Sequence, residues 1–279
     1  MAEIFDSKAI CEGIFDSHAH YFDRRFENET DGADAVLERD VFGAGIVGVI
    51  NVATNLKTSE ICIKQASLYD KMYATVGIHP EDVQYSTNSI DVELENLTSL
   101  IGSREDARKN KVVAIGEIGL DYHYEGFDKE LQQEYFERQL ELARNLDMPV
   151  IIHDRDAHGD CFETVLKYPD VRGVFHSFSG SAEMAAELVR RGWYISFSGV
   201  LTFKNARKCV EVAEKIPLDR ILIETDAPYL APHPFRGKIN HSGYMYLTAQ
   251  RLAEIKGVSR DEIVLKTTKN ARELFGIDQ

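Results

Sequence analysis

A repeating two-part unit constrains the fold of this sequence more than any other feature. A short apolar, β-branched run is followed each time by a longer amphipathic stretch. The runs lie at 14–16, 47–52, 73–76, 112–116, 150–152, 173–175, 194–197 and 221–223. Their spacing leaves room for a crossover helix after each one. Runs such as VGVINV and ILIE are apolar almost throughout, as strands covered on both faces are. The clearest helical pattern spans 129–147, where Leu131, Tyr135, Phe136, Leu140, Leu142 and Ala143 approximate one stripe before Pro149. Eight such units predict an α/β fold, a closed (β/α)8 TIM-type barrel rather than an open doubly wound sheet. No Gly-, Ser- or Pro-rich linker interrupts the pattern, so residues 1–279 read as one domain.

Charge and cysteines narrow the function. A formal net charge of −14 opposes a broad grip on nucleic acid, because phosphates are repelled. A small cleft where cations meet a single phosphate remains compatible. Cys11, Cys62, Cys161 and Cys209 form no C-x-x-C pair and read as reduced core thiols. The N-terminal residues lack the pattern of a signal peptide, and no run is long enough to span a membrane. The expectation is a cytoplasmic protein without a membrane partner, acting as a monomer.

The chemistry collects just after the predicted strands. There stand His18 and His20, then His79, Glu117, His153, His176, and Glu224 with Asp226. In a parallel barrel all these positions converge on one face. Five of the nine histidines fall there, and none falls in a predicted helix. In His18-x-His20 the two side chains point the same way along a strand end, so both imidazoles can reach one cation. A lone pair of this kind is weak support for a metal. Four histidines with Glu117 and Asp226 are stronger, because two divalent cations about 3.5–4 Å apart need such a mixed nitrogen and oxygen set. Glu117, from a middle strand, suits a bridging carboxylate. Asp226 suits both ligation and proton acceptance from the attacking water. A helix N-cap ahead of Pro228 is its competing structural role.

His79, before Pro80, is a candidate for phosphate contact or leaving-group protonation. Arg155, Arg236 and Lys238 would suit an anionic substrate at the rim, whereas Lys204 and Arg207 read as ordinary surface charge. Tyr122, Tyr124 and Phe203 are open between base stacking and core, and Phe178 reads as core. No phosphate-binding Gly loop, dinucleotide fingerprint or G-x-S-x-G is present.

The stretches DSHAH, VGIHP, AIGEIGLDY, QLELARNLDMPVIIHDRDA, GVFHSFSG, ISFSG, ILIETDAPYLAP and FRGKIN occur in order from 16 to 240. In these the chain resembles the TatD-type metal-dependent deoxyribonucleases of the amidohydrolase superfamily. The resemblance implies a divalent-metal phosphodiesterase, typically Mg²⁺-dependent, acting on DNA ends in the 3′→5′ direction. It implies one cation on His18, His20, Glu117 and Asp226, and a second on Glu117, His153 and His176. The chain departs from the family pattern at Asp154, where a small residue is usual, and at Ser177, where Cys is common. It also reads Asn240-His241-Ser242 in place of N-x-P, with His233 and His241 as additional imidazoles.

The expected activity is therefore 3′–5′ exodeoxyribonuclease cleavage of single-stranded DNA ends by a metal-bridged hydroxide. Asp226, His79 and Arg155 are the expected catalytic residues. Oxygen ligands favour Mg²⁺ or Mn²⁺, and four histidines are also compatible with Zn²⁺. The rival readings are an amidohydrolase acting on a small amide, lactone or ester, and a metal-binding scaffold without activity.

Overall fold

The computed structural model describes residues 12–278. Its strands are β1 (Phe15–Ala19), β2 (Gly48–Asn51), β3 (Met72–Val76), β4 (Val112–Asp121), β5 (Val150–Arg155), β6 (Gly173–Phe175), β7 (Tyr194–Phe197) and β8 (Ile221–Ile223). They pair in parallel and in chain order, β1 to β8. The ring closes between β8 and β1 through Ala19 and Ala227, with His20 N donating to Ala227 O at 2.7 Å and Asp226 N to His18 O at 2.9 Å. This is the (β/α)8 barrel that the repeating unit predicts.

Residues alternate across each strand. Phe15, Ile50, Ile151, Val174, Tyr194 and Leu222 share one apolar cluster with Ala271, Leu274 and Phe275 of the last helix, Arg260–Phe275. Their strand neighbours Val49, Ile115, Val150, Ile152, Ile195 and Ile223 belong to the larger cluster beneath the outer helices. A strand apolar on both faces is what this two-sided packing requires.

The helix Lys129–Leu146 buries Tyr135, Phe136, Leu140 and Ala143, and leaves Leu131 and Leu142 partly covered. It also buries Gln132 and Gln139 on the same stripe. Two local expectations are corrected. β4 does not stop at Gly116 but runs on to Asp121, because it continues to pair with β5 after a register shift. His158 opens the helix His158–Leu166, so one histidine does lie in a helix.

Cys62 and Cys161 are buried free thiols, whereas Cys209 is only half-buried; Cys11 lies outside the described residues. Among the described residues no helix is long and apolar enough to cross a membrane.

Candidate metal centre

The C-terminal ends of β1, β3, β4, β5, β6 and β8 surround a cavity of about 710 Å³. Its lining includes His20, His79, Glu117, His153, His176 and Asp226. Glu117 stands at the centre. Its Oε1 lies 2.7 Å from His153 Nδ1 and 2.7 Å from His176 Nε2. Its Oε2 lies 3.3 Å from His18 Nε2 and 3.6 Å from His20 Nε2. Asp226 Oδ1 is 3.3 Å from His20 Nε2 and 3.7 Å from His18 Nε2. The structure thus brings all six expected ligands together, and each oxygen of Glu117 faces its own group of nitrogens.

The local fold explains how Glu117 comes to stand there. Its N–H donates to Ala53 O at 2.8 Å, and Thr75 Oγ1 donates to the preceding carbonyl, Gly116 O. At Gly119, φ is +140° and an added Cβ would lie 2.0 Å from His153 O. Only glycine lets β4 approach β5 this closely. No helix starts at Asp226, which has φ of +58°, so the N-cap role is not realised.

The donor set fits cations for a reason visible in the far ring nitrogens. His20 Nδ1 is held by Val52 O at 2.6 Å, His153 Nε2 by Asp121 Oδ2 at 2.8 Å, and His176 Nδ1 by Glu224 Oε1 at 3.2 Å. An acceptor on the far nitrogen keeps a proton there, which leaves the inward nitrogen as the one that can ligate when a cation is bound. Those inward nitrogens converge. His18 Nε2 and His20 Nε2 are 3.1 Å apart, and His153 Nδ1 and His176 Nε2 are 3.3 Å apart. Two nitrogens each about 2.1 Å from one ion are separated by roughly 3.0–3.4 Å.

Burial opposes protonation of His153 and His176, but Asp121, Glu117 and Glu224 override it and raise His153 to about 9 and His176 well above the usual imidazole range, so a cation binding there would displace protons. Burial alone would raise the Glu117 carboxyl, but His176, His18 and His79 hold it well below the usual carboxylate range. Burial likewise opposes ionisation of Asp226, and the hydrogen bond from His20 overrides it. Burial and His176 push His18 down, which favours its neutral form.

His79 differs from the others. Its Nδ1 accepts from Glu81 N at 3.1 Å, which leaves the proton on Nε2, 3.6 Å from Glu117 Oε1. Its donor atoms also cluster with those of Glu117 and His153. A protonated Nε2 donates rather than ligates, so we assign His79 to hydrogen bonding. Arg155 stands at the rim, 3.9 Å from both Glu81 and Asp121, with its guanidinium 5.2 Å from the centre of the Tyr124 ring. Tyr124 lines the cavity, while Tyr122, Phe178 and Phe203 are absent from the lining. His233 and His241 are absent from it too.

Asp121, Glu224 and Asp16 carry structural duties that the sequence alone did not assign. Asp16 accepts from Thr225 Oγ1 and Ser242 Oγ, both at 2.7 Å, and so ties the loop bearing Asp226 to β1. Each of the three lies two to four residues from an expected ligand. A carboxylate at that distance, at a strand end, is the signal that marks them. Asp154 turns one oxygen to His158 Nδ1 at 2.9 Å and leaves the other buried without a partner.

A barrel with this donor set at its strand ends defines a class, the metal-dependent hydrolases. Comparison with known proteins narrows it. The family model described as TatD related DNase matches residues 15–276. The chain is 40% identical over 268 residues to the metal-dependent hydrolase YabD of Bacillus subtilis, covering 95% of this chain and 100% of that one. It is 37% identical over 267 residues to YcfH of Escherichia coli K12, covering 95% and 96%. The crystal structure of YJJV, a TatD homolog from Escherichia coli K12, superposes with a TM-score of 0.86 at 32% identity, covering 96% and 100%. The chain belongs to the TatD family.

Proposed function

We propose that this protein is a 3′–5′ exodeoxyribonuclease with two divalent cations at the strand ends. His18, His20, Glu117 and Asp226 would hold one, and Glu117, His153 and His176 the other. The observation that carries the reading is the placement of Glu117, whose two oxygens face separate groups of nitrogens. Divalent cations held there would supply Lewis acidity and would lower the pKa of a coordinated water.

The residues contribute the remaining chemistry. Asp226, kept ionised by His20, accepts a proton from the attacking water. His79 presents an Nε2–H toward the cavity, suited to a phosphate oxygen or a leaving oxygen. Among the described residues Arg155 is the single Arg or Lys in the lining, and its guanidinium would contact the scissile phosphate. The DNA preference draws its support from the family description. Mg²⁺ or Mn²⁺ suits the carboxylates, and Zn²⁺ suits the imidazoles.

One observation favours a second reading. Asp23, Glu81, Asp82 and Asp154 line the cavity besides the two ligand carboxylates, against that single arginine. Such a lining suits a small amide, lactone or ester better than a polyanion. The decisive assay incubates 5′-labelled single-stranded DNA with EDTA, Mg²⁺, Mn²⁺ or Zn²⁺. We expect metal-dependent shortening from the 3′ end, abolished in Glu117→Ala and slowed at least about 100-fold in Asp226→Asn. Cleavage of a small amide or ester with none of DNA would reverse the assignment.

A further inference from the structure

Charge around the mouth of the cavity is unevenly divided. Glu81 and Asp82 line it after β3. On the opposite side of the ring, the segments after β7 and β8 have the opposite character. Residues 199–210 and 227–241 contain Lys204, Arg207, Lys208, Arg236 and Lys238 and no Asp or Glu, in a chain of net charge −14.

All five cations are exposed. Among the described residues, none of them pairs with a carboxylate, whereas Arg39, Arg138 and Lys215 elsewhere on the surface each do. Cations at this density without carboxylate partners repel one another. A bound polyanion would relieve that repulsion.

The two segments form one surface. His233 N donates to Thr202 Oγ1 at 2.8 Å, and the Arg236 guanidinium lies 4.2 Å from the centre of the Phe203 ring. Gly199 packs so closely under the second segment that an added Cβ would lie 2.2 Å from Leu230 O. The surface reaches the cavity edge, where Val200, Cys209 and Leu230 are part of the lining. Lys204 and Arg207, which the sequence alone presents as ordinary surface charge, therefore share this surface with Arg236 and Lys238.

We propose that this surface is a track for the phosphodiester backbone of single-stranded nucleic acid, holding the strand upstream of the bond being cut. The proposal rests on the nuclease reading above. It answers the difficulty that the acidic lining raises. The cavity admits the 3′-terminal phosphate at Arg155, while the rest of the strand leaves over β7 and β8, away from Glu81 and Asp82. Binding energy gained there holds a polyanion that the cavity alone would repel.

The test compares the unaltered protein with the variant K204Q/R207Q/K208Q/R236Q/K238Q. None of these residues lines the cavity or is among the proposed ligands or catalytic groups; Arg236 and Lys238, expected from the sequence to meet an anionic substrate at the rim, lie outside the lining. Two substrates are used with the same metal, a 5′-labelled 12-mer of single-stranded DNA and bis(p-nitrophenyl) phosphate, across a range of KCl concentrations. We expect the variant's KM for the 12-mer to rise about tenfold or more at low salt. Its log–log dependence on salt should flatten by about 3.5, at about 0.7 for each phosphate that is no longer neutralised. Hydrolysis of the small diester should be unchanged. The double variant K204Q/K238Q should flatten the slope by about 1.4 and serves if the fivefold variant does not fold. If both proteins cleave the 12-mer with the same KM and salt slope, the track is overturned while the nuclease reading stands. If the unaltered protein cleaves the small diester but no oligonucleotide, the nuclease reading fails and the track fails with it.

Discussion

At Glu117 both carboxylate oxygens face ring nitrogens, whereas the ring of His241 meets almost nothing polar. His241 packs 3.9 Å from the Tyr244 ring centre, and its buried Nδ1 has no hydrogen-bond partner. Burial pushes its pKa down to about 4; Arg39 acts in the same direction and Asp40 opposes both. The sign of the consequence follows from linkage. Below about pH 6.5 the unfolded chain takes up a proton at this position and the folded protein does not. Stability is therefore lost as pH falls from 6.5 towards 4, by about 2 kcal/mol at pH 5. His241→Gln removes this contribution. We expect the variant to gain about 2 kcal/mol relative to the unaltered protein between pH 7.5 and pH 5, measured by urea unfolding. Parallel pH profiles for the two proteins would contradict the burial account.

The helix Lys129–Leu146 positions the site through two glutamines seven residues apart. Gln139 accepts from Ile78 N at 2.8 Å and donates to Ile78 O at 3.0 Å. Gln132 does the same to the backbone of Asp121, at 2.9 and 3.0 Å. One helical face thus clamps the residue before His79 and the residue that holds His153. Gln139→Leu keeps the volume but leaves a buried N–H and C=O unpaired. We expect it to cost about 2–4 kcal/mol in urea unfolding, while Glu134→Leu on the exposed face changes stability by less than about 0.5 kcal/mol. Equal effects would show that the clamp contributes nothing. These glutamines also mark where the sequence stops being legible. A stripe is found from apolar residues, so a buried Gln within it counts as a break. The same blindness shortened β4, because Glu117 looks like a loop residue although it continues the strand. The convergence of His18, His20, Glu117, His153, His176 and Asp226 was legible because barrel geometry maps strand ends to one face. The carboxylates Asp121, Glu224 and Asp16 were not, because their role lies in contacts between strands distant in sequence.

The donors around Glu117 are drawn from residue 18 to residue 226, so they connect both ends of the chain across the barrel closure. In the absence of a cation the inward nitrogens of His153 and His176 stand 3.3 Å apart, in rings that the neighbouring carboxylates raise toward the protonated form. A ligand that binds these donors only when the barrel is assembled stabilises the whole fold, by about 2.7 kcal/mol at a hundredfold excess over Kd. For a domain of this size that corresponds to a Tm increase of roughly 5–10 °C. We expect Mn²⁺, Mg²⁺ or Zn²⁺ to produce it, EDTA to reverse it, and Glu117→Ala to remove most of it, since that change withdraws an oxygen from both groups at once. His241→Gln, remote from the cavity, should keep the full shift. A Tm indifferent to all three ions at millimolar concentration would mean that the inward nitrogens are satisfied by protons, and the metal centre would have to be abandoned even though the barrel stands.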